Sequence, residues 1–476
     1  MSNLKQAREA FKWTIYLRGL SQLTTWAISL FVIRFLTPID YGIVAITEIV
    51  FMFMMLLCSA GLGDALIQKK EIDEIFIRKI LNILLIIALI LCSSLFFLAP
   101  LFAKYYNHEE LSLVFRISAF IFLLTPWLVI SSCLLARKMD FKSRGKVDLF
   151  AAVCSALLSL FLAYNGFGFW SLIVANLFNT TIRTIGYVKS LGKFYLPKYD
   201  LTEMLAPFKF GITVAMTSIV FVLFMKIDVL VIASQMDTQT LGYYALAMHL
   251  ALLPMVKIMP LINEVAYPMY SSIRDNHIEC ERVFFYILRV VCFIMFPIFF
   301  IFSAISPKLV KFLLGDIWVP ASYALQIILL TIPFRIISDL MTPLLKALGK
   351  PQTGLKHVSF SCAIVAIVFY FAAPYGLQGL AYGWLFATPL FLTYALTIST
   401  RSSKISLLDL VLTIMRPIAT SVITLIIVNL VASKTSYELN IVVSIMLEII
   451  VGLTSYILLS LAINKRQLLE VYKFRL

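Results

Sequence analysis

About fourteen apolar runs, each about 17 to 26 residues long, follow one another along this chain, and they restrict its fold more than any other feature. Each run is long enough to cross a hydrocarbon layer about 30 Å thick as a helix that rises about 1.5 Å per residue. Because lipid offers no hydrogen-bond partners to an open backbone, the runs must be helices. The composition agrees, with 61% hydrophobic and 14% charged residues and a mean hydropathy of +0.95. We therefore predict an all-α polytopic membrane protein.

The predicted spans fall into three groups. The first six lie at 14–36, 41–62, 80–103, 115–135, 147–164 and 168–188. The next six lie at 210–234, 242–267, 283–305, 321–345, 358–373 and 376–399. Two more follow at 407–432 and 439–463. We therefore predict an N-terminal six-helix lobe over 1–200, a second lobe over 201–400, and two additional helices with a tail over 401–476.

The net charge of +15 reflects membrane topology and does not indicate nucleic-acid binding. If the N-terminus is cytoplasmic, nearly all loop and terminal Lys and Arg residues fall on the cytoplasmic side. The basic residues on the opposite side are only Lys104, Lys308, Lys311 and Lys434. The positive-inside rule therefore predicts a multi-pass protein with both termini in the cytoplasm, and the basic loops also attract anionic membrane lipids.

An internal repeat of about 200 residues links the first two groups of spans. Asp40-Tyr41-Gly42-Ile43 after the first span corresponds to Leu241-Gly242-Tyr243-Tyr244 after the seventh. Pro100 and Pro126 recur as Pro307 and Pro333, with equal spacing within each pair. A glycine turn between spans five and six also recurs between spans eleven and twelve. Because each repeat has an even number of spans, the halves are parallel, which is typical of carriers that alternate the side of access.

Ionisable side chains inside the spans are the candidates for a functional site, because charge is costly in hydrocarbon and turns towards protein or water. Lys226, Lys257 and Arg335 lie too deep for their charges to reach the headgroups easily. We predict a cationic substrate-binding cavity formed by Lys226, Lys257, Arg335, Arg34, Arg18 and Arg183. The candidate ion-coupling acids are Glu48, Asp228, Asp339 and Glu264. The alternative is structural ion pairing, for which the i, i+4 pair Arg335 and Asp339 is the strongest case.

Pro254 and Pro260 lie on either side of Lys257 in the eighth span and are the predicted gate or hinge, because proline removes backbone hydrogen bonds and bends helices. The alternative is an ordinary proline of a membrane helix. The loops contain no phosphate-binding glycine loop, no metal-ligand spacing and no Ser/His/Asp arrangement. The sequence therefore predicts no enzyme activity, no metal and no cofactor.

Several segments, taken in order, carry a family resemblance. They are 34–42 (RFLTPIDYG), 61–68 (GLGDALIQ), 137–142 (RKMDFK), 226–228 (KID), 241–244 (LGYY), 267–273 (YPMYSSI), 314–318 (LGDIW) and 347–350 (ALGK). In these the chain resembles bacterial polysaccharide-repeat-unit flippases of the multidrug/oligosaccharidyl-lipid/polysaccharide exporter superfamily. Lys226 stands where that pattern often has Arg, which keeps the charge but removes the bidentate fork.

The resemblance implies two six-helix lobes around a central cavity, with two peripheral helices. It implies a polyprenyl-pyrophosphate-linked oligosaccharide as substrate, moved from the inner to the outer leaflet of the bacterial plasma membrane for cell-surface polysaccharide synthesis. It also implies association with a polysaccharide polymerase and a chain-length regulator. A lipid-linked peptidoglycan precursor flippase and a cation-coupled multidrug extruder are the alternatives within the superfamily. A membrane-embedded glycosyltransferase is an alternative from another class, but it would need a larger extramembrane loop.

Overall fold

Fourteen α-helices follow one another in the part of the chain that the computed structural model describes, which is residues 19, 22, 24–59, 62–63, 66, 72–138, 140–200, 219–220, 222–403, 405–435 and 440–463. The first seven are α1 (Thr24–Phe35), α2 (Pro38–Ser59), α3 (Glu74–Tyr105), α4 (Glu110–Arg137), α5 (Phe141–Tyr164), α6 (Trp170–Leu191) and α7 (222–232). The next seven are α8 (Thr238–Ser272), α9 (His277–Leu314), α10 (Val319–Ala347), α11 (Pro351–Ala372), α12 (Gly376–Ser403), α13 (Leu407–Thr435) and α14 (Ile441–Ile463). Each overlaps one predicted span, so the predicted fold class is confirmed.

Several helices are longer than the apolar runs that predict them. Within the described residues, nine segments are long and apolar enough to cross a membrane. The helix α9 has 38 residues and extends well beyond the thickness of the hydrocarbon. Side-chain caps mark the N-terminal ends of two of these helices. Asp73 precedes α3 and accepts a hydrogen bond from the Phe76 amide, and Asn276 precedes α9 and accepts one from the Glu279 amide. The helices therefore continue into the headgroup region and stop where a polar residue satisfies their free N–H groups.

Contacts divide the chain into two compact units, residues 1–234 and residues 235–476. In the first unit, α3 packs on α4, α4 packs on α6, and α5 packs on α6. In the second unit, α9 packs on α10, α10 packs on α12, and α11 packs on α12, while α13 and α14 both pack on α9. The three pairs of the first unit therefore recur in the second, six helices later in the chain. The lobe boundaries at 200 and 400 stay a prediction.

The turn between α1 and α2 is joined to the turn between α5 and α6 by Asp40. One carboxylate oxygen of Asp40 accepts hydrogen bonds from the Thr37 amide at 2.8 Å and the Thr37 hydroxyl at 2.7 Å. The other oxygen accepts one from the Phe169 amide at 2.8 Å. Gly168 has a φ of 54°, and a Cβ there would lie 2.6 Å from the Asp40 carboxylate. The close approach of the two turns therefore requires glycine at 168.

At the corresponding turn of the second unit an aspartate and a threonine interact again, but there the aspartate comes before the threonine in the sequence. Asp237 caps α8 by accepting hydrogen bonds from the amide and the hydroxyl of Thr240, at 2.8 and 2.7 Å. Partial burial raises the pKa of Asp237, but the hydrogen bonds from Thr240 outweigh that effect, and the net pKa is lowered. A charged carboxylate at this position stabilises the N-terminus of α8.

Candidate functional site

Lys226 on α7 forms an ion pair with Glu48 on α2, and both residues belong to the first unit. The Lys226 Nζ lies 3.1 Å from the Glu48 Oε2. The side chain of Glu48 is 60% exposed and that of Lys226 is 29% exposed. Glu48, for which the sequence offers no obvious partner, thus faces one of the predicted cavity cations. Neither side chain of the pair is therefore fully buried.

Asp228 lies two residues after Lys226 but faces a different environment. Its side chain is buried, with 2% of the residue exposed. Residues two apart on a helix point about 200° apart, so the two charges do not form an intrahelical pair. The structure therefore separates an accessible cation from a buried acid on the same turn of α7.

Arg34 and Arg183, two further predicted cavity cations, have different surroundings. Arg34 lies at the end of α1 and is exposed. The Arg183 Nε lies 2.9 Å from Asp148 Oδ1, and its Nη2 donates to the Tyr187 hydroxyl at 3.2 Å. That hydroxyl also donates to Asp148. Arg183 thus belongs to a closed triad that links α5 to α6, an arrangement that favours a structural role.

Arg335 is buried in the second unit, with 3% of the residue exposed. Its guanidinium carbon lies 5.5 Å from the centre of the Trp384 ring, a distance typical of a cation–π contact. The Trp384 Nε1 in turn donates a hydrogen bond of 2.8 Å to the Tyr244 hydroxyl. Asp339, one turn after Arg335, interacts with it electrostatically. Packing among α8, α10 and α12 therefore fixes the guanidinium, which favours the alternative in which Arg335 stabilises the bundle.

The eighth helix carries the remaining predicted residues of the second unit. The helix α8 is continuous from Thr238 to Ser272 and includes the predicted hinge residues Pro254 and Pro260. The side chains of Lys257, Pro260 and Glu264 lie outside the described part of the structure, as does the whole of Arg18. The roles of these residues stay predictions.

Sequence reasoning missed an ion pair between two membrane-spanning helices of the second unit. The ammonium of Lys308 on α9 pairs with the carboxylate of Glu448 on α14 and donates to the Ser444 hydroxyl at 2.8 Å. Lys308 had been assigned to a connection outside the membrane, but α9 continues to Leu314. The signal was present in α14, where five of the six buried positions recur every four residues: Ser444, Glu448, Gly452, Tyr456 and Ser460. Such small and polar stripes mark the packing face of a membrane helix.

Comparison with known proteins identifies the family. Residues 31–323 match a family model described as polysaccharide biosynthesis protein. Because this match covers more than half of the chain, the protein belongs to that family of multi-pass membrane proteins.

Curated relatives have similar descriptions. The chain is 25% identical to an "uncharacterized membrane protein in cps region" of Klebsiella pneumoniae, over 74% of this chain and 73% of the relative. It is 23% identical to the lipopolysaccharide biosynthesis protein WzxC of Escherichia coli K12, over 72% and 69%. It is 22% identical to the teichuronic acid biosynthesis protein TuaB of Bacillus subtilis 168, over 70% of each chain.

Solved structures show the same fold. The lipid II flippase MurJ in an inward closed conformation superposes with a TM-score of 0.78 at 16% identity, over 97% of this chain and 99% of MurJ. An inward-facing multidrug resistance transporter of the MATE family, from the MOP superfamily, superposes with a TM-score of 0.63 at 17% identity, over 83% and 99%. At these identities the likeness establishes the shared helical fold.

Proposed function

We propose that this protein is a flippase that moves a polyprenyl-pyrophosphate-linked oligosaccharide from the cytoplasmic to the outer leaflet of the bacterial inner membrane by alternating access. Membership of the polysaccharide biosynthesis family supports the polysaccharide substrate. The fold shared with MurJ, a lipid II flippase, supports the lipid-linked form of that substrate. The positive-inside distribution supports an orientation with both termini in the cytoplasm.

The observation that carries this proposal is the accessible ion pair of Lys226 and Glu48. A diphosphate cannot cross hydrocarbon unaided, and an ammonium that is not sealed by packing binds it through charge-assisted hydrogen bonds. The diphosphate takes the place of Glu48 beside Lys226, so that the cation exchanges one anion for another. With the cytoplasm negative, outward movement of each uncompensated negative charge is favourable by about 2.3 kcal/mol per 100 mV.

The protein acts as a carrier and not as an enzyme in this proposal. Glu48, next to Lys226, is the proposed ion-coupling acid, because arrival of the diphosphate removes its counter-ion. A polysaccharide polymerase and a chain-length regulator are the proposed partners, since a flipped repeat unit must be consumed on the outer face.

The test is the leaflet distribution of polyprenyl-pyrophosphate-linked sugars in cells with and without this protein. Loss of the protein is expected to trap the lipid-linked sugars on the cytoplasmic leaflet and to abolish surface polysaccharide. Complementation with Lys226→Gln should fail, whereas Lys189→Gln, the same change at an exposed position near the end of α6, should succeed. Unchanged lipid-linked intermediates in cells without the protein would contradict the proposal.

A further inference from the structure

A cavity of about 250 Å³ lies within the first unit, between α1, α2, α5 and α6. Seven of its lining residues are apolar or aromatic. The others are uncharged and polar: Thr25, Ser29, Ser155, Ser159, Asn176 and Asn179. This composition is unusual for the interior of membrane helices, where polar side chains either bind neighbouring helices together or line a path for a polar ligand.

The cavity lies deep in the bundle. Ser155 is nine residues before the end of α5, and Asn179 is nine residues after the start of α6. At 1.5 Å per residue, both lie about 13 Å from those helix ends. Neither side chain is long enough to reach the headgroups from that depth. The polar groups of the cavity therefore have to be satisfied by each other, by backbone carbonyls or by a ligand.

The polar groups are only partly satisfied by each other. The Asn179 Nδ2 donates to the Ser155 hydroxyl at 2.9 Å, which orients the amide. The Ser155 hydroxyl donates to the backbone carbonyl of Ala152. Ser159, one turn further on, is 5% exposed, and its hydroxyl has no hydrogen-bond partner. An unsatisfied buried hydroxyl is costly, and Ser159 is one of the residues that line the cavity.

Other faces of α1 and α5 have a different character. There a groove is lined by Phe31, Phe35, Leu157, Leu160, Phe161 and Tyr164, and several of these side chains are largely exposed, as lipid-facing residues are. Ser155 and Ser159 of α5 thus line the cavity, whereas Leu157, Leu160 and Phe161 line the groove.

We propose that this cavity binds one neutral sugar ring of the lipid-linked oligosaccharide, an inference that rests on the proposed function and names the determinant of its sugar specificity. Sugar hydroxyls donate and accept hydrogen bonds, as do the hydroxyl and amide groups that line the wall. The volume is below the 300 to 1,000 Å³ typical of sites for drug-sized ligands and suits a single ring. None of the described lining residues carries a charge, so an acidic sugar would lose hydration without gaining a counter-ion.

The test measures thermal unfolding of the full chain in lipid nanodiscs with five probes: the methyl glycosides of glucose, galactose and N-acetylglucosamine, methyl glucuronide, and inorganic pyrophosphate. At least one neutral methyl glycoside is expected to raise the unfolding midpoint by about 1–2 °C at a saturating concentration. Methyl glucuronide is expected to leave it unchanged. The variants are Asn179→Leu and Ser159→Ala, and the control is Thr181→Val, which removes a hydroxyl elsewhere on α6.

Asn179→Leu and Ser159→Ala should each abolish the sugar shift and keep the pyrophosphate shift, and Thr181→Val should keep both. Two variants are used so that the test can still be made if one of them fails to fold. The proposal is overturned if no neutral glycoside shifts the wild-type midpoint, if methyl glucuronide shifts it equally, or if both cavity variants keep the sugar shift. Stabilisation by pyrophosphate in the absence of any sugar effect would overturn the sugar site alone and leave the flippase proposal standing.

Discussion

Lys226 and Glu48 are 178 residues apart in the chain and are joined by an ion pair of 3.1 Å within the first unit. In the proposed exchange of anions, the diphosphate binds Lys226 and displaces Glu48. Substitutions of these two residues should therefore have different effects on transport and binding. Lys226→Gln is expected to lower transport about tenfold or more, because a hydrogen bond to a charged group contributes about 1.5–3 kcal/mol. Lys226→Arg keeps the charge and should keep most of the transport.

Glu48→Gln removes the anion that competes with the diphosphate and retains the cation. Binding of inorganic pyrophosphate to this variant is therefore expected to be tighter than to the wild type. Pyrophosphate affinity, measured by calorimetry on protein in nanodiscs, checks this prediction. Equal loss of pyrophosphate binding in Glu48→Gln and Lys226→Gln would mean that the pair has only a structural role.

Arg183 is expected to act on stability rather than on transport. Arg183→Gln breaks the contacts with Asp148 and Tyr187 and should lower the free energy of unfolding by about 1–3 kcal/mol. The amount of folded protein in the membrane would fall, whereas surface polysaccharide per folded molecule would stay near the wild-type value. Lys189→Gln on the same helix is the control and should change neither. A loss of transport at a normal protein level would place Arg183 in the transport site instead.

The pair of Lys308 and Glu448 predicts an unequal effect of its two single substitutions. Glu448 is fully buried, whereas the Lys308 side chain is 21% exposed. Lys308→Met leaves a buried carboxylate without its counter-ion and should cost about 3–5 kcal/mol. Glu448→Leu should cost less, because Lys308 can turn its ammonium towards the headgroups.

The double variant Lys308→Met/Glu448→Leu leaves no unpaired charge and should be more stable than Lys308→Met alone. Thermal unfolding of the three variants in nanodiscs provides the comparison. Midpoints equal to that of the wild type for all three would show that the pair does not hold α14 against α9.

Gly168 and Gly166 form a matched pair for testing the link between the two turns. Both have a positive φ, 54° and 79°, so Gly→Ala should cost about 1–2 kcal/mol at either position through backbone strain. A Cβ at 166 has nothing within 4 Å, whereas one at 168 meets the Asp40 carboxylate. Gly168→Ala should therefore lower the unfolding midpoint more than Gly166→Ala does. Equal effects would show that Asp40 does not hold the two turns together.

Hydropathy alone predicted the number and order of the helices, because the bilayer imposes a minimum length of apolar sequence. It placed helix ends less well. The third span was predicted to begin at residue 80, but α3 begins at Glu74, after the cap by Asp73. A capped helix extends through polar residues that a hydropathy criterion excludes.

Partners of the charged residues could not be predicted, since they depend on how each helix is rotated about its axis and on which helices are neighbours. Nothing in the local sequence of Glu48 indicates Lys226, and nothing near Arg183 indicates Asp148, although the i, i+4 spacing does place Tyr187 beside Arg183. The repeat did indicate the importance of the turns at Asp40 and Gly168. That these two turns meet became visible only in the structure.

The most direct test of the flippase account is transport by the purified protein in liposomes that carry a polyprenyl-pyrophosphate-linked oligosaccharide in both leaflets. The fraction of the lipid accessible to an added periodate reagent reports movement between leaflets. The account predicts that the wild-type protein makes nearly all of the labelled lipid accessible, and that Lys226→Gln does so about tenfold or more slowly, whereas the inner-leaflet half stays protected in protein-free liposomes. Protection of the inner half in the presence of folded wild-type protein would contradict the account.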